Sequence, residues 1–182
     1  MTEFEKKVLL TEKAYRVLLA WVGASAKTIV QKNYYFDTED RGFYKRGITC
    51  RVREKNAKYV ATIKQHLGEE KSDEYSKEVT SAFDVSLFAD MGVSFQGSLL
   101  TTRTFLCYGS GVHAVIDKNE YLGIIDYELE IEYVDGSQEQ AETMMNVLLH
   151  IMLKHDVKIE EIEMNPMNKS ERFFIRKYLI DD

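Results

Sequence analysis

Charged and apolar positions alternate from the start of the chain: Glu3, Glu5 and Lys7 take every second position, with Phe4, Lys6, Val8 and Leu10 between and after them. Successive side chains of a strand point to opposite faces, so two carboxylates and an ammonium share one face, backed by a mostly apolar row. Such a strand belongs in a wall between a polar interior and a packed exterior. The pattern recurs. Thr49, Arg51 and Arg53 oppose Ile48, Cys50 and Val52, and Val60, Thr62 and Lys64 oppose Tyr59, Ala61 and Ile63. Arg103 is flanked by Thr102 and Thr104, and Asp117 alternates with Ile116 in step with His113 and Val115. The sharpest echo of the first strand is Asp126–Tyr133, where Glu128, Glu130 and Glu132 share one face and Tyr127, Leu129, Ile131 and Tyr133 the other.

The same patterning predicts the elements. Thr11 is an N-cap for a helix over residues 12–22, with Tyr15, Leu18, Leu19 and Val22 at helical spacing. Thr28–Asp37 reads as a strand, and Ile48–Glu54 with Tyr59–Gln65 as a hairpin around Lys55-Asn56-Ala57-Lys58. Gly68–Asp73 reads as a charged loop before a short strand at Glu74–Thr80, and residues 84–91 as a short helix. Strands are expected at about 100–107, 112–118 and 124–134, a helix from the Asp135-Gly136-Ser137 turn to about 154, and a last helix near 167–179. Roughly eight strands with few helices give an α+β chain: an antiparallel closed β-barrel with helices packed outside.

Composition narrows the setting. Only Pro166 interrupts the 182 residues, and without a linker, repeat or low-complexity tract one domain spanning 1–182 is expected. Apolar residues make up 45% and charged residues 30%, the balance of a globular chain with a real core. No apolar run has transmembrane length and no basic-then-apolar leader is visible, so a cytoplasmic protein without a membrane partner is expected. Cys50 and Cys107 form no disulfide framework and are expected reduced. A net charge of −6 argues against a nucleic-acid partner; a polyanion site must be a local basic concentration.

The charges are sorted by strand: Arg51, Arg53 and Lys64 are basic, Glu128, Glu130 and Glu132 acidic. Solvated faces need no such sorting, and three like charges on one strand face repel one another. Arg and Lys suit phosphate oxygens, while carboxylates clustered without His or Cys suit hard cations such as Mg²⁺ or Mn²⁺. A polyphosphate chelated to a divalent metal inside a barrel needs both sets.

Glu3-Phe4-Glu5-Lys6-Lys7 resembles the ExExK signature of the CYTH superfamily, the triphosphate tunnel metalloenzymes. Further landmarks follow in order. Gln31–Thr38 resembles the family's second-strand segment, Arg51-Val52-Arg53 its LRxR with Cys50 in place of Leu, and Thr62-Ile63-Lys64 its TxK. Glu78, Arg103 and Asp117 stand where the family carries single charged residues, Asp126–Glu132 resembles its late acidic strand, and Lys169 its C-terminal lysine. The combined pattern is most similar to the small single-domain bacterial members. The resemblance implies a tunnel in which Lys7, Arg51, Arg53, Lys64, Arg103 and Lys169 bind phosphate. It implies that Glu3, Glu5, Asp117, Glu128 and Glu130 hold one or two Mg²⁺ or Mn²⁺ ions, with Glu132 a second candidate on the late strand. Glu5, Lys7 and Glu130 are the expected catalytic residues, and Glu78 is expected to orient an arginine. His113, Cys50 and Cys107 are expected to be structural, Asn33, Tyr34 and Tyr35 to be wall residues, and His66, His150 and His155 show no metal-ligand spacing.

The implied activity is metal-dependent hydrolysis of a small-molecule triphosphate, inorganic tripolyphosphate first and a nucleoside or thiamine triphosphate next. A class IV-type adenylyl cyclase would grip its substrate the same way. A non-catalytic polyphosphate- or nucleotide-binding module would not need so many carboxylates, and a plain scaffold leaves the sorted charges unexplained. Monomer and homodimer both remain open, since the apolar outer strand faces can be covered by helices or by a partner.

Overall fold

The computed structural model describes residues 2–68, 70–109 and 111–181. Among these residues the chain runs β1 (Thr2–Leu10), α1 (Glu12–Val22), β2 (Thr28–Thr38), β3 (Ile48–Lys55), β4 (Lys58–His66), β5 (Lys71–Val79), β6 (Val93–Gly109), β7 (Val112–Tyr121), β8 (Ile124–Tyr133), α2 (Gln138–Lys154), β9 (Glu163–Met164) and α3 (Lys169–Asp181). All recorded pairings are antiparallel, in the order β5-β4-β3-β2-β6-β7-β8-β1, and β5 pairs with β1 to close an eight-stranded barrel. The short β9 adds to β1 at Val8 and Leu9, beyond the stretch of β1 that meets β5.

The alternating pattern sorts as the sequence suggests. Val8, Leu10, Ile116, Leu129 and Ile131 face outward into a core built with Leu18 of α1 and Leu148 and Met152 of α2. These two helices cover the apolar side of β1, β7 and β8. Thr11 caps α1, its hydroxyl accepting from the Ala14 N–H at 3.2 Å. A second outer core joins Cys50, Val52 and Ala61 to Phe36, Phe43 and Phe88.

The third helix lies elsewhere. Phe173 and Phe174 of α3 pack on Tyr35, Leu99 and Tyr121, which share the inward faces of their strands with the tunnel residues. So α3 stoppers one end of the barrel and carries its first turn toward the interior. Gly97 makes room for it: a Cβ there would sit 2.9 Å from Phe173 Cζ, and its φ of +139° is one that other residues rarely adopt. The β2–β6 register shifts at the same place.

Three segments differ from expectation. The strand expected at Glu74–Thr80 begins at Lys71, within the predicted loop, because Lys71–Asp73 pair with Phe4–Thr2 to close the barrel. The helix expected over 84–91 is a single 3-10 turn at Ala89–Met91. Upstream of it the Asp84 carboxylate accepts from the Thr80 and Ser86 N–H groups, which folds the chain into a turn instead. The strand expected at 100–107 runs from Val93 to Gly109, long enough to pair with both β2 and β7.

Candidate active site

The inward faces enclose a cavity of about 300 Å³ whose lining carries seven cationic side chains against four carboxylates. That cationic excess stands inside a chain of net charge −6. The cavity has two sectors.

In the first, β1 faces β4 and β5. Lys7 Nζ lies 2.7 Å from Glu5 Oε1 and also donates to the Asn168 side chain. Lys64 Nζ lies between Glu3, Glu5 and Glu74, at 3.0, 3.5 and 3.2 Å. Burial works against the Lys64 charge, but Glu5 and Glu74 raise its pKa overall. Arg51 Nη2 meets Glu74 Oε1 at 3.2 Å, and its Nε is buried without a hydrogen-bond partner. Arg53 Nε donates to Asn33 Oδ1 at 2.9 Å. Burial, with Arg51 and Arg103 nearby, pushes the Arg53 guanidinium down to about 10.

The second sector is acidic, where β6, β7 and β8 run side by side. Register places Arg103 opposite Asp117 and Asp117 opposite Glu128. Arg103 forks onto Asp117 at 2.9 and 2.8 Å, reaches Glu132 at 2.8 Å with Nη1, and contacts Glu130 with Nη2. Lys169, on the first turn of α3, donates to Asp117 at 2.6 Å and Glu130 at 3.2 Å. Arg172, one turn further, reaches Glu128 at 2.6 Å and Asp126 at 3.0 Å. Burial alone would raise the Glu130 pKa, but Lys169, Arg103 and Lys7 hold it well below the usual carboxylate range. For Glu128 burial wins and its pKa is raised.

Depth separates the expected metal ligands. Glu3, Glu5 and Glu130 line the cavity, as does Glu132. Asp117 and Glu128 are fully buried behind Arg103, Lys169 and Arg172. Among the described residues no three carboxylate, imidazole or thiol side chains converge at metal-ligand spacing, the carboxylates being turned onto the chain's own cations. The donor chemistry still fits a hard divalent cation: the lining acids offer oxygen alone, and Glu128 Oε1 is buried without a hydrogen-bond partner.

All six expected phosphate-binding cations line the cavity. The arginine-orienting role expected of Glu78 falls to Glu74, while Glu78 is exposed further along β5. Arg172 and Asn168 were not anticipated. Arg172 had a signal, since it follows Lys169 at helical i,i+3 spacing and so shares its face. Asn33 and Tyr35 are buried wall residues, as expected.

His66 lies where the cavity meets a side opening toward Gly68, Glu70 and Asn165, and its Nε2 is buried without a partner. Burial first, then Lys64 and Lys7, push the imidazole down to about 4. Between that value and the ordinary value of 6.5 the unfolded chain holds a proton the folded one lacks, so stability rises with pH there. The unfolding free energy of the wild type should therefore fall as pH drops from 6.5 to 4. In His66→Gln that fall should be shallower, as read from urea denaturation at each pH; parallel curves would exclude the assignment.

Residues 1–161 match the CYTH domain. The chain belongs to the CYTH domain family. A relative from Bacillus subtilis (strain 168), named "Putative triphosphatase YjbK", is 30% identical to this CYTH chain over 149 residues, which is 73% of this chain and 78% of the relative. A Bacillus halodurans structure described as a "putative adenylate cyclase (bh2851)" is 25% identical, with a TM-score of 0.72 over 94% of this chain and 97% of that one. The Hippeastrum protein HpAC1 shares the fold at 20% identity, with a TM-score of 0.73 and 95% of each chain covered. No helix among the described residues of the CYTH chain is long and apolar enough to cross a membrane.

Proposed function

We propose that this CYTH chain is a divalent-metal-dependent triphosphatase that hydrolyses the terminal phosphoanhydride of inorganic tripolyphosphate. The observation that carries this reading is the cationic excess of the cavity next to a sector lined by the carboxylates of Glu130 and Glu132. Phosphoryl transfer asks mainly for positioning and charge neutralisation, and this wall supplies both. The name carried by the Bacillus subtilis relative points the same way.

Lys7, Arg51, Arg53, Lys64, Arg103 and Lys169 would grip the phosphate oxygens. Lys7 and Lys64 now rest on Glu5, and Arg51 and Lys64 on Glu74. A triphosphate entering the cavity would draw these cations off and leave Glu3 and Glu5 free. Those two, with Glu130 and the unpaired oxygen of Glu128, would hold Mg²⁺ or Mn²⁺. Asp117 has both oxygens engaged by Arg103 and Lys169, so it would position those cations rather than touch the ion. A bound divalent ion supplies charge neutralisation at phosphate oxygens and lowers the pKa of an attacking water. Lys7, held by Glu5 and Asn168, would donate to the phosphate oxygen on which charge develops.

The test is to incubate the protein with tripolyphosphate, ATP or thiamine triphosphate in Mg²⁺ or Mn²⁺ and to measure phosphate and cyclic AMP. Phosphate release from tripolyphosphate, abolished by chelation, is the expected result. Cyclic AMP from ATP without phosphate release would replace hydrolysis with the cyclase reading that the Bacillus halodurans relative's description suggests. Tight binding with no turnover would make the cavity a binding module.

A further inference from the structure

The outer side of the α1–α2 layer is apolar where a solvent-facing helix surface is ordinarily polar. Each helix already buries one face against the barrel, through Ala14, Tyr15 and Leu18 of α1 and Met145, Leu148 and Met152 of α2. The opposite side carries Trp21, the only tryptophan of the chain, at 48% exposure, and Val147 at 51%. Trp21 stands between two shallow grooves. One runs beside Val17 and Ala20 of α1 toward His155, the other beside Met144 and Val147 of α2 over Cys107. Together they make one apolar strip across both helices, with the indole in its middle.

The two ends of the strip carry opposite charge. Lys13 and Arg16 flank the first groove, and Glu139 flanks the second. The Lys13 ammonium donates to the Asp156 carbonyl, and Arg16 pairs with Glu12 at a site where both side chains are more than half exposed. Glu139 lies exposed in the first turn of α2. A surface with an apolar middle and opposite ends is its own complement. A two-fold axis beside Trp21 lays the basic end of each copy on the acidic end of the other and brings the two indoles together out of water. A membrane fits less well, because Glu12 and Glu139 would both face anionic lipid.

We infer that the outer face of α1 and α2 is a dimer interface whose occupant is a second copy of this chain. Trp21 and Val147 form its centre, and Lys13 of each copy faces Glu139 of the other. None of these side chains lines the barrel cavity, so the inference is independent of the triphosphatase reading.

The test combines sedimentation velocity across a range of protein concentrations with the emission of Trp21, which reports this face alone. The wild type should dimerise in the micromolar range, and its emission should move to shorter wavelength as the dimer forms. Trp21→Gln should weaken the dimer about a hundred-fold while the circular dichroism spectrum stays that of the wild type. Lys13→Glu and Glu139→Lys should each weaken it about ten-fold, and the double variant Lys13→Glu/Glu139→Lys should regain most of the loss, because the two charges exchange places across the axis. A wild type that stays monomeric at about 200 µM, some ten-fold or more above a micromolar Kd, would overturn the interface. So would a dimer whose formation leaves the Trp21 emission unmoved, or a double variant no tighter than the single ones. A monomer whose Trp21 emission shifts on adding phosphatidylglycerol vesicles would overturn it too and assign the face to a membrane. Failure of the triphosphatase reading shows separately, as absence of tripolyphosphate turnover.

Discussion

Arg103→Ala should unfold this protein more readily than any other single change at the site, at a cost of about 3–5 kcal/mol in urea denaturation. The guanidinium forks onto Asp117, reaches Glu132 and contacts Glu130, so one side chain neutralises three carboxylates on two neighbouring strands. Asp117 is fully buried and Glu130 nearly so. Without Arg103, only Lys169 would face both of them, and neither acid could regain water without opening the β6–β7–β8 wall. The sign of the pH dependence follows. Arg103 helps to depress the folded-state pKa of Glu130, a contribution fully present above the unfolded carboxylate range and lost as pH falls from there through the depressed folded value. The deficit of Arg103→Ala should therefore be largest at neutral pH and shrink on acidification. Arg103→Lys should recover part of the stability, because it restores a charge but not the planar fork. A loss below about 1 kcal/mol at neutral pH, typical of an exposed pair, would mean that the acidic wall is solvated and not held by Arg103.

The parts of this site that could be read in the sequence are those that strand periodicity controls. Glu3, Glu5 and Lys7 in β1 and Glu128, Glu130 and Glu132 in β8 alternate with Val8, Leu129 and Ile131, and one face of each strand is packed under helices. A one-residue slip would bury the charges in that core, so the facing direction is fixed by the pattern alone. Depth along the barrel is not. Which alternate residue of β5 meets Arg51 depends on how the closed strands stagger, and the choice of Glu74 over Glu78 is set by pairings across the whole barrel. The same stagger decides that Glu130 lines the cavity while Glu128 is covered. The role of α3 was hidden for another reason. Its inward side mixes Lys169 and Arg172 with Phe173 and Phe174, so its apolar stripe gives no clean amphipathic signal. The segment around Asp84 followed a side-chain cap rather than propensity.

Glu130→Gln should lower kcat for tripolyphosphate by about 10²–10³-fold while leaving KM unchanged or reduced. Glu130 lines the cavity, lies 3.2 Å from Lys169, and is held ionised by Lys169, Arg103 and Lys7 against the push of burial. Glutamine keeps the shape and one acceptor oxygen but removes the charge. Two consequences then pull apart. Ground-state binding of a polyanion loses one repulsive carboxylate, so the phosphate clamp should not weaken. Any contribution of Glu130 to holding Mg²⁺ or Mn²⁺ loses its anionic oxygen, and the metal concentration needed for half-maximal turnover should rise. Lys64→Gln should show the opposite split, with KM raised, because Lys64 is a cation whose present partners are carboxylates that a triphosphate would replace. If Glu130→Gln raises KM and leaves kcat within about three-fold of wild type, Glu130 is an anchor for Lys169 and Arg103 and not part of the reacting centre. A fall in kcat with an unchanged requirement for metal would keep it at the reacting centre but assign the ion to Glu3 and Glu5 of β1, in the other sector of the cavity.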